Sequence, residues 1–288
     1  QGKTNQEICE YEKLAERDPE EISYYQELVK LYFQVERFED VIWASEKILE
    51  LDPGNQQAVN DRMLAYEKLG KDVIEVQKEA WEKNPNATTG LNYATALEEK
   101  KDYNAAIDVL KRVTALNPSN FEAWNKLGNN YKNIGDRENV IRTYTHIATK
   151  ISPRDINVIS NIVDAQLALA QYQEAYEWAK RALEINSNSK LSNKLMGDVY
   201  YGAVEYYTSS REVTFEDKLV YKLAYDYYKK AAELGEFSVK SRLDYLKEYR
   251  IPSDEDWFMN KYDAAGKDRT NYKPQSEEYD WVEESASK

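Results

Sequence analysis

The chain has 288 residues, with 39 Lys and Arg against 52 Asp and Glu, a formal net charge of −13. That acid excess excludes recognition of nucleic acid or of an anionic membrane through a basic face, because phosphate contacts need clustered cations. A single cysteine, Cys9, excludes an internal disulfide, and no apolar run approaches the roughly 18 residues of a membrane span.

Residues 1–18 read as one helix, with Tyr11 and Leu14 of "EYEKLAERDP" in core positions. Pro19, Pro53, Pro85, Pro118 and Pro153 then stand 34, 32, 33 and 35 residues apart, and Ser187 takes the place of proline 34 residues later. Between these posts apolar residues recur at helical spacing, broken near the middle by stretches such as "EKKD" (99–102) and "NIGD" (133–136). Each interval therefore predicts helix, turn, helix, with the proline blocking continuation of the second helix. The expected units are about 20–53, 54–85, 86–118, 119–153, 154–187 and 188–235, preceded by a half-unit at 1–18. The sixth holds an insertion: a lengthened helix running on from Gly197, a loop around 209–214, and a long helix from about Phe215 to Leu234. A closing helix is expected within 236–250, from about Ser238 to Tyr249. Residues 1–250 thus form one array. Residues 251–288 differ, with ten acids and five bases but also Trp257, Phe258, Tyr262, Tyr272, Tyr279 and Trp281. Disordered tails are poor in such rings. The tail is expected to pack on the last repeats as a cover. Occupation of a binding groove and display of a partner motif are the other two readings.

The stretch "WNKLGNNY" (124–131) puts a glycine in mid-helix, at a cost of about 1 kcal/mol relative to alanine. Gly128, and Gly197 in the same place of a later unit, predict that the paired helix approaches closely there, with aromatics filling the gap beside the approach. Trp124, Leu127, Gly128 and Tyr131 match in full the W-x2-L-G-x2-Y opening of the tetratricopeptide repeat (TPR) family, and Tyr144 and Ile147 fill later core positions. Looser matches recur. Tyr25, Leu28 and Tyr32 precede Pro53, Ala94 and Leu97 precede Pro118, and Met196, Gly197 and Tyr200 precede Ala224, Tyr228 and Ala231. The chain resembles that family along most of its length. The resemblance implies an all-α fold, a right-handed superhelical solenoid of stacked helix-turn-helix repeats. "YYKKAAELGE" (227–236) resembles the Sel-like subclass of helical repeats. The tail, with "EDWF" and "YDWVEES", resembles those of exported bacterial TPR proteins. On that resemblance a periplasmic or exported location is expected ahead of a cytoplasmic one. A removed export signal and a cut end both fit the start at Gln1.

No catalytic constellation is present in the sequence. His146 is the only histidine and is far from Cys9 in the repeat order, so neither a Cys–His pair nor a zinc site is expected. Phosphate-binding glycine motifs are absent. The expectation is a non-catalytic chain without cofactor or metal that binds a peptide or protein partner. The resemblance implies that first helices line a concave groove. The residues expected to face it are Gln26, Lys30, Asn60, Asn125, Asn129, Lys132, Asn157, Asn161, Lys194, Asp198 and Tyr201. Their amides suit an extended peptide, since each offers donor and acceptor to a backbone of any sequence. One family subclass clamps a C-terminal carboxylate with Lys, Asn, Asn, Lys and Arg. Here Asn129 and Asn161 match, but Asn125, Leu191 and Leu195 stand where the three cations belong, so that clamp is not expected. The alternative function is a structural or assembly subunit of a cell-envelope complex that uses its outer face and tail.

Overall fold

One stop signal, repeated, punctuates the chain. In the computed structural model, Glu36, Gly70, Lys101, Gly135, Ala170 and Gly235 all take left-handed backbone, with φ from 55° to 92°. The amide of each following residue reaches back five residues to a helical carbonyl: Arg37 to Tyr32, Lys71 to Tyr66, Asp102 to Leu97, Asp136 to Tyr131, Gln171 to Gln166 and Glu236 to Ala231. This is the Schellman closure, which satisfies carbonyls that a helix end would leave bare. Asn or Asp side chains start many of the helices. Asn55, Asp72, Asn86, Asn120, Asp136 and Asp155 each accept a hydrogen bond from a first-turn amide.

The structure describes residues 2–262, 266, 268, 269 and 271–288. The helices are α1 (Gly2–Arg17), α2 (Ile22–Gln34), α3 (Phe38–Leu51), α4 (Gln56–Lys68), α5 (Val73–Lys83), α6 (Ala87–Glu99), α7 (Tyr103–Leu116), α8 (Phe121–Asn133), α9 (Arg137–His146), α10 (Ile156–Ala168), α11 (Tyr172–Ile185), α12 (Lys190–Tyr207), α13 (Phe215–Glu233), α14 (Lys240–Tyr249) and α15 (Asp254–Met259). The protein is all-α, built of stacked helix-turn-helix repeats. Outside the helices, two isolated antiparallel bridges, Tyr262–Asp268 and Tyr272–Ala286, are the only β pairing among the described residues. No described helix is long and apolar enough to cross a membrane.

Two compact units divide the chain, Gln1–Val109 and Leu110–Lys288, with α7 running across the division. In the first, α2 packs on α1 and α3, α3 on α4, and α5 on α6. Leu28, Tyr32, Val41, Ala44, Ile48 and Ala65 form its centre. In the second, α8, α10 and α12 pair with α9, α11 and α13 respectively, and α14 packs on α13. Helix α9 runs into a π-helical turn, Ile147–Ile151. The prolines flanking this unit are 35 residues apart, the widest of the four spacings. The wider turn absorbs the extra length while Ile147 and Ala148 stay buried.

The tail belongs to the second unit's core. Trp257, Tyr279, Val282 and Ala286 are buried in the same cluster as Tyr200, Tyr221 and Tyr228. The Tyr279 hydroxyl donates to Asp217 at 2.6 Å, and Trp281 stacks on Tyr200 at 5.9 Å. Lys180 on α11 pairs with Glu283, and Tyr227 on α13 donates to Glu284. These partners lie mostly on α11 and α13, with Tyr200 on α12.

Candidate functional site

Three helices of the second unit repeat one register. Asn125, Asn129 and Lys132 on α8 stand at i, i+4 and i+7. Asn157, Asn161 and Asp164 do so on α10, and Lys194, Asp198 and Tyr201 on α12. That spacing puts each trio on one side of its helix. Asn129, Asn157 and Asp164 are exposed, while Asn125, Lys132, Asn161, Lys194 and Tyr201 are half-buried.

The trios are joined across the helices. The Lys132 ammonium donates to the Asn161 carbonyl oxygen on the next first helix, and Asn161 donates to the backbone oxygen of Asn157 at 2.9 Å. Burial pushes the Lys132 pKa down, Asp164 opposing, and the ammonium sits 5.1 Å from the Tyr144 ring centre. Asp164 lies within electrostatic range of both Lys132 and Lys194. Lys194 pairs with Asp198, which also accepts from Arg242 on α14 and from the Tyr228 hydroxyl at 2.8 Å. The Arg242 guanidinium lies 5.2 Å from the Tyr201 ring. A line of alternating donors and acceptors thus crosses α8, α10, α12 and α14.

Two expectations need correction. Asp198 does not face solvent: it is 9% exposed, and its carboxylate is occupied by Lys194, Arg242 and Tyr228. Its place in the register is that of Asn129 and Asn161 in their trios. Arg242, which caps it, comes from beyond the last full repeat, where the period offers no guide. Asn125 and Asn129 are also not spare. Both carbonyl oxygens accept from the Tyr144 hydroxyl, at 3.3 and 2.8 Å, and the Tyr144 side chain is fully buried. Replacing both amides strands a buried hydroxyl, so it costs stability as well as any ligand bond. This arrangement uses the amide oxygens of the pair, not their N–H groups.

The glycines explain this ring. A Cβ on Gly128 would lie 2.5 Å from Tyr144 Cε2, and one on Gly197 would lie 2.6 Å from Tyr228 Cδ1. The close approach is therefore made by a tyrosine of the paired helix, whose hydroxyl emerges on the first-helix face to hold Asn129 or Asp198. Sequence reading placed Tyr144 and Tyr228 in the core but missed their polar ends. The signal was there, since each lies in the second helix opposite a first-helix glycine. Trp124 serves differently: it donates to the Pro118 oxygen at 2.9 Å and stacks on His146 at 4.1 Å.

Gln26, Lys30 and Asn60 belong to the first unit and are exposed. Gln26 and Lys30 share a shallow cleft of about 350 Å³ with Asn55, Gln57 and Asp61; Asn60 does not line it. Lys30 is held by Glu27 at 2.6 Å, and Asn60 accepts from Gln56 at 3.3 Å. Leu195 is buried and Leu191 packs on the core, so neither clamp position offers a cation. No group of three or more His, Cys, Asp or Glu is arranged to hold a metal among the described residues.

A family model described as TPR repeat matches residues 95–135. Two curated proteins match at low identity, both named peroxisomal targeting signal receptor. That of Kluyveromyces lactis is 21% identical over 226 residues, 64% of this chain and 39% of that protein. That of Eremothecium gossypii is 23% identical over 221 residues, with the same two shares. The chain thus spans about two fifths of the length of these relatives. Among solved structures, that of MamA protein is 26% identical, covering 58% of this chain and 92% of that one, with a TM-score of 0.42. That of YrrB, described as a TPR protein with an unusual peptide-binding site, is 19% identical, covering 63% and 95%, with a TM-score of 0.43. A tetratricopeptide repeat protein from Parabacteroides merdae is 13% identical, covering 86% and 93%, with a TM-score of 0.39.

Proposed function

We propose that this chain, a tetratricopeptide repeat protein, is a non-catalytic scaffold that holds an extended segment of a partner protein along the first-helix face of α8, α10 and α12. The observation that carries the reading is the repeated trio. Three successive first helices present polar side chains at i, i+4 and i+7, cross-linked by Lys132–Asn161 and anchored by Asp198–Arg242. Such a network is fixed before a ligand arrives, so little side-chain entropy is lost on binding. Its outward amides at Asn125, Asn129 and Asn157 donate N–H groups, which suits backbone carbonyls of an extended chain. Among the described residues no hydrogen bond or ion pair joins the tail to the trios of α8, α10 and α12, which leaves those side chains to an outside segment. The names of the two curated relatives, receptors for a targeting signal, fit a chain that receives part of another protein.

Asn157 gives the cleanest test, because its side chain is exposed and its structural bond uses the backbone. A protein captured by the full chain is cut to a short peptide that competes with the whole. Asn157→Ala should then weaken peptide binding by about twofold to tenfold at unchanged stability. Arg142→Ala, exposed on the second helix α9, should bind as wild type. If no short peptide competes, or if the two variants exchange roles, the groove reading fails. The assembly alternative, through the outer face, then replaces it.

A further inference from the structure

The first unit holds a cleft of about 500 Å³ that is unlike the amide face. It opens between α1 and α3, with α2 as its floor, and its lining is acidic and aromatic: Glu12, Glu16, Tyr25, Tyr32, Asp40 and Trp43. We propose that it is a second binding site, which takes an arginine side chain presented by a partner protein.

The argument starts from a guanidinium already held there. Arg37 lies over the Tyr32 ring at 4.7 Å, its Nε donates to Asp40 at 2.6 Å, and its Nη2 stands 3.7 Å from Glu12. One aromatic face and two carboxylates are the ingredients, and they match the planar, forked cation. The other half of the lining offers an exposed aromatic face and one further carboxylate. Tyr25 and Trp43 meet edge to face at 5.9 Å, and Trp43 is 42% exposed although it is a large ring. Glu16 lines the facing wall, from α1, and has no ion-pair partner among the described residues. The Tyr25 hydroxyl is tied to the Pro19 oxygen at 3.2 Å, so that ring is fixed in place. Three carboxylates against the one guanidinium of Arg37 leave the cleft net negative, complementary to a further cation. An arginine fits better than a lysine, because its plane stacks on the exposed indole while its fork reaches Glu16. The cleft is lined wholly by residues of the first unit and shares none with the amide trios, so its test is independent of the groove reading.

The full chain labelled with 5-fluorotryptophan reads the site directly. Of the six tryptophans, the Trp43 fluorine resonance is identified by its loss in Trp43→Phe. Titration with N-acetyl-arginine amide should move that resonance saturably and leave the others in place. N-acetyl-citrulline amide, equal in shape but uncharged, should not move it. Glu16→Gln should weaken the arginine response by about threefold or more, while Glu20→Gln, exposed but outside the cleft, should not. A still Trp43 resonance, an equal response to citrulline, or an unchanged affinity in Glu16→Gln each overturns the proposal. A stronger response to N-acetyl-lysine amide, free at its side-chain amine, overturns its arginine preference.

Discussion

Gly128→Ala adds one methyl group, and the structure fixes what that methyl meets. The new Cβ would lie 2.5 Å from Tyr144 Cε2, 2.8 Å from Cζ and 3.1 Å from Cδ2. Carbon atoms rest at about 3.5–4.0 Å, so the ring must retreat by roughly 1 Å. Tyr144 has no exposed surface to retreat into, and its hydroxyl is bonded to Asn129 at 2.8 Å. Overpacking of this kind costs about 1–3 kcal/mol, while alanine returns about 1 kcal/mol of helix propensity. The expected net is a loss of about 0–2 kcal/mol, and Gly128→Leu should lose more. Urea unfolding followed by circular dichroism measures it. Asn133→Ala, exposed near the end of the same helix, should stay within about 0.5 kcal/mol of wild type. The decisive arm is the Tyr144→Leu background. With the ring gone, Gly128→Ala should turn neutral or stabilising, giving a coupling of about 1–3 kcal/mol. If Gly128→Ala has the same effect with and without the Tyr144 ring, so that the coupling is absent, the ring is not the reason for the glycine.

Ala170 and Lys101 occupy left-handed backbone at φ 55° and 62°, so Ala170→Gly and Lys101→Gly should each stabilise by about 0.5–1 kcal/mol in thermal unfolding. Asn125→Ala with Asn129→Ala should lower stability by about 1–3 kcal/mol, and Tyr144→Phe made with the pair should recover most of that, because the stranded hydroxyl is then absent. Burial alone would raise the Asp217 pKa, but Arg211, Tyr279 and Thr214 outweigh it and hold it at about 2. An unfolded aspartate titrates near 3.9, so this contribution of roughly 2–3 kcal/mol is complete above pH ~4 and is lost as pH falls towards 2. Stability against pH should show that loss in wild type and lack it in Asp217→Asn.

The fold class was legible because proline spacing and helical periodicity agree over most of the chain. The stretches "EKKD" and "NIGD" hold Lys101 and Gly135, the left-handed stops. Gly128 and Gly197 announced close approaches because a mid-helix glycine is costly and a Cβ there would collide, whereas at Gly202 it would meet nothing nearer than 3.4 Å. The identity of the colliding group was not legible, since it is a ring on another helix. The site was legible as a register and illegible as a network. Asn125, Asn157 and Lys194 follow from position in the repeat, whereas the burial of Asp198 depends on Arg242, 44 residues away. The acid–aromatic cleft went unread because Glu12, Tyr25 and Trp43 sit on three different helices and share no spacing. The division at Val109 and Leu110 falls inside α7, where periodicity is unbroken and gives no mark.

The claim that a partner lies along the first helices is tested most directly by proximity. A photo-crosslinking amino acid replaces Asn157 on α10 in one variant and Arg142 on α9 in another, both exposed positions. Each is irradiated with the captured partner and the products are sequenced. The account predicts crosslinks from position 157 that fall within one short extended segment of the partner, and none from position 142. Crosslinks from position 142 with none from 157 would contradict it and place the partner on the second-helix face.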